Sequence, residues 1–137
     1  MEIKKALLII DMLNDFVMDG APLKVPNIEK IIKPIEREIE KARSSGYPVI
    51  YLCDSHDKND REFKMFPPHA VKNTEGSKII EELKPQGTDI IIRKNSFSGF
   101  FNTDLESETD GMYRYRADDR VEIDASYQNQ VHLILGC

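Results

Sequence analysis

The stretch Ala6-Leu7-Leu8-Ile9-Ile10-Asp11 is an unbroken apolar run closed by a carboxylate. A strand with one wet face alternates apolar and polar residues. A continuous run of this kind belongs to a strand covered on both faces, as in a parallel sheet. Pro48-Val49-Ile50-Tyr51-Leu52-Cys53 repeats the pattern and ends at Asp54, and Ile90-Ile91-Ile92 repeats it again, ending at Arg93-Lys94. Between the first two runs, Asn27 is placed to cap a helix whose apolar positions Ile28, Ile31, Ile32, Ile35, Ile39 and Ala42 recur at helical spacing. Pro34 kinks that helix or delays its start, and Gly46 ends it. Residues 55–72 form a long polar segment, after which Glu75 to Leu83 reads as a short helix stopped by Pro85 and Gly87. Strand, helix, strand, loop with helix, strand is the order of an α/β sheet with right-handed crossovers. The expected fold is a three-layer α/β sandwich around a mostly parallel, Rossmann-like sheet.

At 137 residues the chain has room for one ordinary domain, residues 1–137. Its 24 acidic and 19 basic side chains leave a formal charge of −5, which argues against nucleic-acid binding through general basic charge. A hydrophobic content of 40 % supports a packed core. No apolar run approaches the roughly 20 residues of a membrane span, so no membrane partner is expected. The apolar run at residues 6–10 follows a lysine pair and breaks at Asp11, so it reads as a strand and not a signal peptide. Two cysteines, Cys53 and Cys137, are too few for a disulfide scaffold, and the expected compartment is a reducing cytoplasm.

In open parallel sheets, ligands sit beyond the carboxyl ends of the strands. Asp11, Asp54 and Lys94 all stand at such ends, and this clustering points to an enzyme. Asp11 also reads as a turn or helix cap, and Lys94 as a solvated loop lysine. A buried aspartate beside a lysine can instead serve as a base whose strength the cation tunes. On this reading Asp11 is the most buried carboxylate of the chain and lies within a few ångströms of the Lys94 amine.

The string from Ala6 through Asp11-Met12-Leu13-Asn14-Asp15-Phe16 resembles the first strand and catalytic aspartate of the isochorismatase-like cysteine hydrolases, the superfamily that contains the nicotinamidases. Lys94-Asn95-Ser96-Phe97-Ser98-Gly99-Phe100 resembles its catalytic-lysine loop. Asp54-Ser55-His56, followed by Phe66-Pro67-Pro68-His69-Ala70-Val71-Lys72-Asn73-Thr74-Glu75-Gly76, resembles the nicotinamidase metal-site segment. These matches stand in the family's order and run from about Ala6 to Leu105. The resemblance implies a strand order of 3-2-1-4, a homo-oligomer, and hydrolysis of a small amide such as nicotinamide by a Cys–Asp–Lys triad with Asp11 and Lys94 as two members. A carbamoyl amide or isochorismate is the alternative substrate. Phe16 and Phe97 are candidates to wall the substrate, or are simple core packing. Asp54, His56 and His69 offer one carboxylate and two imidazoles, a donor set suited to Zn²⁺, Fe²⁺ or Mn²⁺. The competing reading makes both histidines ordinary loop residues.

The resemblance fades near Leu105, and residues 106–137 are atypical. Val131 to Leu135 alone has the look of a buried strand, and residues 110–124 show neither helical nor strand periodicity. The family's nucleophile is a cysteine in a turn after the fourth strand. Cys53, beside Asp54, reads as a small buried residue, Cys137 follows Gly136 at the rim of the last run, and Ser126 stands in a partial echo of the turn. Codons for residues 109–121 read one base onward permit a segment like the family's fourth strand. The hypothesis is a truncated or frameshifted tail with the nucleophile missing, acting as a crippled hydrolase or as a binding subunit. Sequencing the coding DNA through this region decides it, and one intact frame in independent clones would sink it.

Overall fold

The protein is described by a computed structural model covering residues 4–95, 113–116 and 130–136. Its strands are β1 (Lys4–Ile10), β2 (Val49–Asp54), β3 (Ile90–Lys94), β4 (Tyr113–Arg116) and β5 (Gln130–Gly136). They form one sheet in the order β3-β2-β1-β5-β4, and every pairing is parallel. β1 lies in the middle, with Leu7 opposite Val49 and Leu133, and Ile10 opposite Leu52 and Gly136. The order of the first three strands is the expected one. The neighbour of β1 on its other side is the predicted strand at residues 131–135, and β4 adds an edge beyond it. No strand was expected there: Tyr113-Arg114-Tyr115-Arg116 carries no apolar run, and its pairing with β5 is a backbone matter.

The unbroken apolar runs are buried on both faces as read. Leu7, Ile9, Val49, Tyr51 and Cys53 pack on one side with Ile35, Ile39 and Ala42 of α2 (Ile32–Ser44). Ala6, Leu8, Ile50, Leu52 and Ile92 form a second cluster on the other. Each fully buried Leu or Ile contributes about 1.5–3 kcal/mol relative to exposure. β3 departs from expectation, because Ile91 is exposed and only Ile92 of its isoleucines is fully buried. The helical layer expected over the second face lies outside the described residues. Among the described residues no helix is long and apolar enough to cross a membrane.

Asn27 does not cap a helix. It adopts the left-handed conformation (φ 61°), its side chain makes no capping bond, and a single 3₁₀ turn at Ile28–Ile31 precedes α2. Pro34 falls in the first turn of α2, where the missing N–H costs nothing, so it sets the start instead of kinking the helix. The helix ends at Ser44, and Gly46 just beyond it has a φ of +77°, which favours a residue without a Cβ. The helix expected from Glu75 to Leu83 is instead two single 3₁₀ turns, Glu75–Ser77 and Glu81–Leu83. The backbone between them is claimed by the segment after β1. The Asn14 N–H donates to the Lys78 carbonyl and the Ile80 N–H to the Met12 carbonyl, with Leu13 bridged to Ile79.

Candidate functional site

β1, β2 and β3 end at one rim of the sheet, and register places Asp54 directly opposite Lys94. Asp11 follows β1 in the left-handed conformation (φ 54°), unusual for a residue with a Cβ. Its N–H still donates to the Leu52 carbonyl at 2.8 Å. The turn brings its carboxylate across the rim. Oδ1 accepts the Asp54 N–H at 2.9 Å and Oδ2 accepts from Lys94 Nζ at 3.0 Å. The same ammonium donates to Asp54 Oδ1 at 2.5 Å, so a buried cation stands between two carboxylates.

Burial, reinforced by the nearby Asp54 charge, pushes the Asp11 carboxyl up to about 6, while Lys94 works in the opposite direction. Burial presses on Lys94 too, yet Asp11 and Asp54 outweigh it and hold its pKa above the ordinary lysine value. A carboxylate near 6 beside a firmly protonated lysine is poised to take and return a proton close to neutrality. Asp11 is not the most buried carboxylate, however. Its side chain is 16 % exposed against 14 % for Asp54 and 6 % for Asp89. Asp89 is deeper because it is clamped by Arg43 of α2 and by the Gln86 N–H.

Asp54, His56 and His69 also converge, with one donor atom from each within 4.8 Å of the others. Asp54 Oδ2 lies 3.6 Å from His56 Nε2, and the two imidazole centroids are 5.0 Å apart. Both rings are set from behind. His56 Nδ1 is 3.0 Å from Asp60 Oδ2, and His69 Nδ1 is 2.7 Å from the Pro67 carbonyl oxygen. An Nδ1–H engaged in this way leaves Nε2 with a free lone pair, the usual arrangement behind a metal-bound histidine. His56 Nε2 is buried and has no hydrogen-bond partner. Glu62 Oε2 lies 3.1 Å from it, but without hydrogen-bond geometry, and 3.9 Å from His69 Nε2. Two imidazole lone pairs and the Asp54 carboxylate around one point suit a divalent ion of the Zn²⁺, Fe²⁺ or Mn²⁺ kind, and a second group of donors, His56, Asp60 and Glu62, shares His56 with it. Glu62 carried no distinguishing signal in the sequence beyond its nearness to the histidines.

Three aromatic rings border the imidazoles. Phe16 lies 5.6 Å from His69 by centroids, Phe63 lies 5.6 Å from His56 and 5.4 Å from His69, and Phe66 lies 6.4 Å from His69. Phe16 was singled out from sequence. Phe63 was not, because one aromatic in a polar loop has no pattern to mark it. Phe97, Ser126 and Cys137 lie outside the described residues, as does the region on which the frameshift question turns.

Cys53 is buried in the core against α2, and burial pushes its thiol up to about 12. A thiol of that kind is protonated and shielded at neutral pH. Iodoacetamide at pH 7.5 is therefore expected to leave Cys53 unlabelled in the folded protein and to label it in urea. Peptide mass mapping before and after unfolding checks this, and fast labelling of native Cys53 would contradict the burial.

A family model described as Isochorismatase domain matches residues 5–111. An Arabidopsis thaliana protein described as a probable inactive nicotinamidase is 34 % identical over 119 residues, covering 78 % of this chain and 61 % of that protein. The chain thus spans about three fifths of the length of that curated relative. The crystal structure of an isochorismatase-like hydrolase from Alkaliphilus metalliredigens superposes with a TM-score of 0.78 at 35 % identity, covering 96 % of this chain and 80 % of the other. The pyrazinamidase of Pyrococcus horikoshii in complex with zinc superposes with a TM-score of 0.77 at 28 % identity, covering 98 % and 70 %.

Proposed function

The chain belongs to the isochorismatase domain family, and on that footing we propose that Asp11, Lys94 and the Asp54–His56–His69 group form the proton-handling and metal-holding part of an amidohydrolase site. The substrate class is a small amide of the nicotinamide or pyrazinamide kind, with carbamoyl amides and isochorismate as further candidates. The observation that carries the reading is the Lys94 ammonium held between Asp11 and Asp54 at the carboxyl rim of a parallel sheet.

In this reading Asp11 accepts the proton of a cysteine thiol, a nucleophile for which the chain offers only Cys137 and the buried Cys53 and which the sequence reading takes to be missing. The thiolate adds to the amide carbon, the C–N bond breaks, and Asp11 returns the proton to the departing ammonia. Water then cleaves the thioester to the acid and regenerates the thiol. Lys94 keeps Asp11 aimed at the reacting centre and keeps its carboxylate from drifting to still weaker acidity. Asp54, His56 and His69 would hold the ion, with Glu62 Oε2 close to both imidazoles and Asp60 and the Pro67 carbonyl orienting the two rings. When bound, a divalent ion supplies Lewis acidity toward a substrate donor atom or a water molecule. Phe16 and Phe63 offer faces against which a flat heteroaromatic amide can lie.

A second reading, a non-catalytic member that keeps the pocket as a binding subunit, is favoured by the burial of Cys53 in the core. Ammonia release from nicotinamide, followed with and without iodoacetamide and in Asp11→Asn, separates the two. The hydrolase reading expects release that alkylation and Asp11→Asn both abolish. Nicotinamide binding by calorimetry without any ammonia release would select the binding subunit.

A further inference from the structure

His69 is held by a residue far from it in the chain. Asp15, in the single helical turn α1 (Asn14–Val17), has its Oδ2 at 2.8 Å from the Ala70 N–H. Ala70 is fully buried and adopts the left-handed conformation (φ 45°), where a residue with a Cβ is disfavoured by roughly 1–2 kcal/mol. Its carbonyl accepts the His56 N–H at 2.9 Å. The one alanine therefore links the backbones of both histidines, and its N–H is tied to Asp15. Room for the Asp15 carboxylate comes from Gly76. A Cβ there would stand 2.0 Å from Oδ2 and 2.3 Å from Cγ. Phe16, the next residue, sets its ring 5.6 Å from that of His69 at a tilt of 58°.

We propose that Asp15 is a positioning residue for the metal site, its carboxylate pinning the Ala70 N–H so that His69 presents Nε2 toward Asp54 and His56, with Gly76 required as the glycine that makes room for it. The inference rests on the metal-holding reading above. Residue 70 follows His69 directly, so a rotation of the Ala70 peptide swings the imidazole away from its partners. A bond to the Ala70 N–H needs only an acceptor oxygen, and so an amide side chain at position 15 satisfies it as well.

The test is zinc affinity of the full 137-residue chain by chelator competition, with the Co²⁺ absorption spectrum as a geometric signature and the metal-free melting temperature recorded alongside. Asp15→Ala is expected to weaken zinc binding by about 10–100-fold, the usual effect of losing an outer-shell partner. Gly76→Ala is expected to do the same while Asp15 is still present. Asp15→Asn is expected to retain wild-type affinity and the wild-type Co²⁺ spectrum, whereas a role confined to general stability predicts that Asp15→Ala lowers the metal-free melting temperature without changing the Co²⁺ spectrum or the affinity of the folded protein. His69→Ala gives the scale of complete loss. If wild type binds and His69→Ala does not, yet Asp15→Ala and Gly76→Ala bind like wild type, the positioning role is overturned and the metal reading stands. Wild type that takes up no zinc or cobalt overturns both. Should Asp15→Ala fail to fold, the contrast between Gly76→Ala and Asp15→Asn carries the same decision.

Discussion

Lys94→Met is expected to cost the fold about 3–5 kcal/mol at pH 7.5, the size of effect seen when one partner of a buried ionic group is removed. The Lys94 side chain is 2 % exposed and its ammonium touches Asp11 and Asp54 at 3.0 and 2.5 Å. Methionine fills much of the same space but leaves two carboxylates facing each other with no cation between them. The pH dependence gives the substitution a signature that a simple packing defect lacks. In the metal-free protein the folded Asp11 carboxyl stands at about 6, above its ordinary 3.8. Between those values the native state holds a proton that the unfolded chain has released. Stability therefore rises as pH falls from 6 toward 4 and is lost as pH rises through 6. Lys94 is among the groups that lower the Asp11 value, so in Lys94→Met the folded value climbs and the recovery in acid is larger and begins at higher pH. Urea denaturation at pH 7.5 and 5 measures both effects, and adding Asp11→Asn should restore much of the loss at pH 7.5. A midpoint for Lys94→Met equal to wild type at both pH values would show that the cation carries no structural load.

His56→Ala is expected to lower affinity for Zn²⁺ by more than the roughly 100-fold that marks the upper range for outer-shell changes. His56 supplies the unpartnered, buried Nε2, which lies 3.6 Å from Asp54 Oδ2 and 3.1 Å from Glu62 Oε2. Loss of binding also appears as loss of stabilisation. An ion present at 100 times its dissociation constant adds about 2.7 kcal/mol to the native state. That increment should separate metal-loaded from chelator-treated wild type in thermal melts and should vanish in His56→Ala. Asp60→Asn removes only the charge behind the ring and should weaken binding more mildly. A His56→Ala protein that still takes up one equivalent of zinc at wild-type affinity would place the ion elsewhere.

Much of this site is legible in the sequence. Asp11 and Lys94 end apolar runs, and parallel strands bring such ends to one rim, so their contact followed from local pattern and topology. Asp54, His56 and His69 were read from the residue types and the family resemblance. The Glu75–Leu83 helix misled because helical spacing competes with partners the spacing cannot reveal: Met12 and Asn14 take the backbone groups of Ile80 and Lys78. β4 escaped notice because Tyr113–Arg116 is defined by its pairing with β5 and carries no apolar signal.

By itself the sequence determined the parallel α/β class, the three strand ends at which Asp11, Asp54 and Lys94 meet, and the donor types gathered there. Burial on two faces demands continuous apolar runs, a requirement each segment meets alone. Only the tertiary structure decided that Glu62 joins the two histidines, that Asp89 lies deeper than Asp11, and that Asp15 reaches Ala70 across the loop into space left by Gly76. Those are matters of single hydrogen bonds and of clearances of a few ångströms between residues distant in the chain. Their energies depend on how whole elements pack, and no local pattern of residue types encodes them.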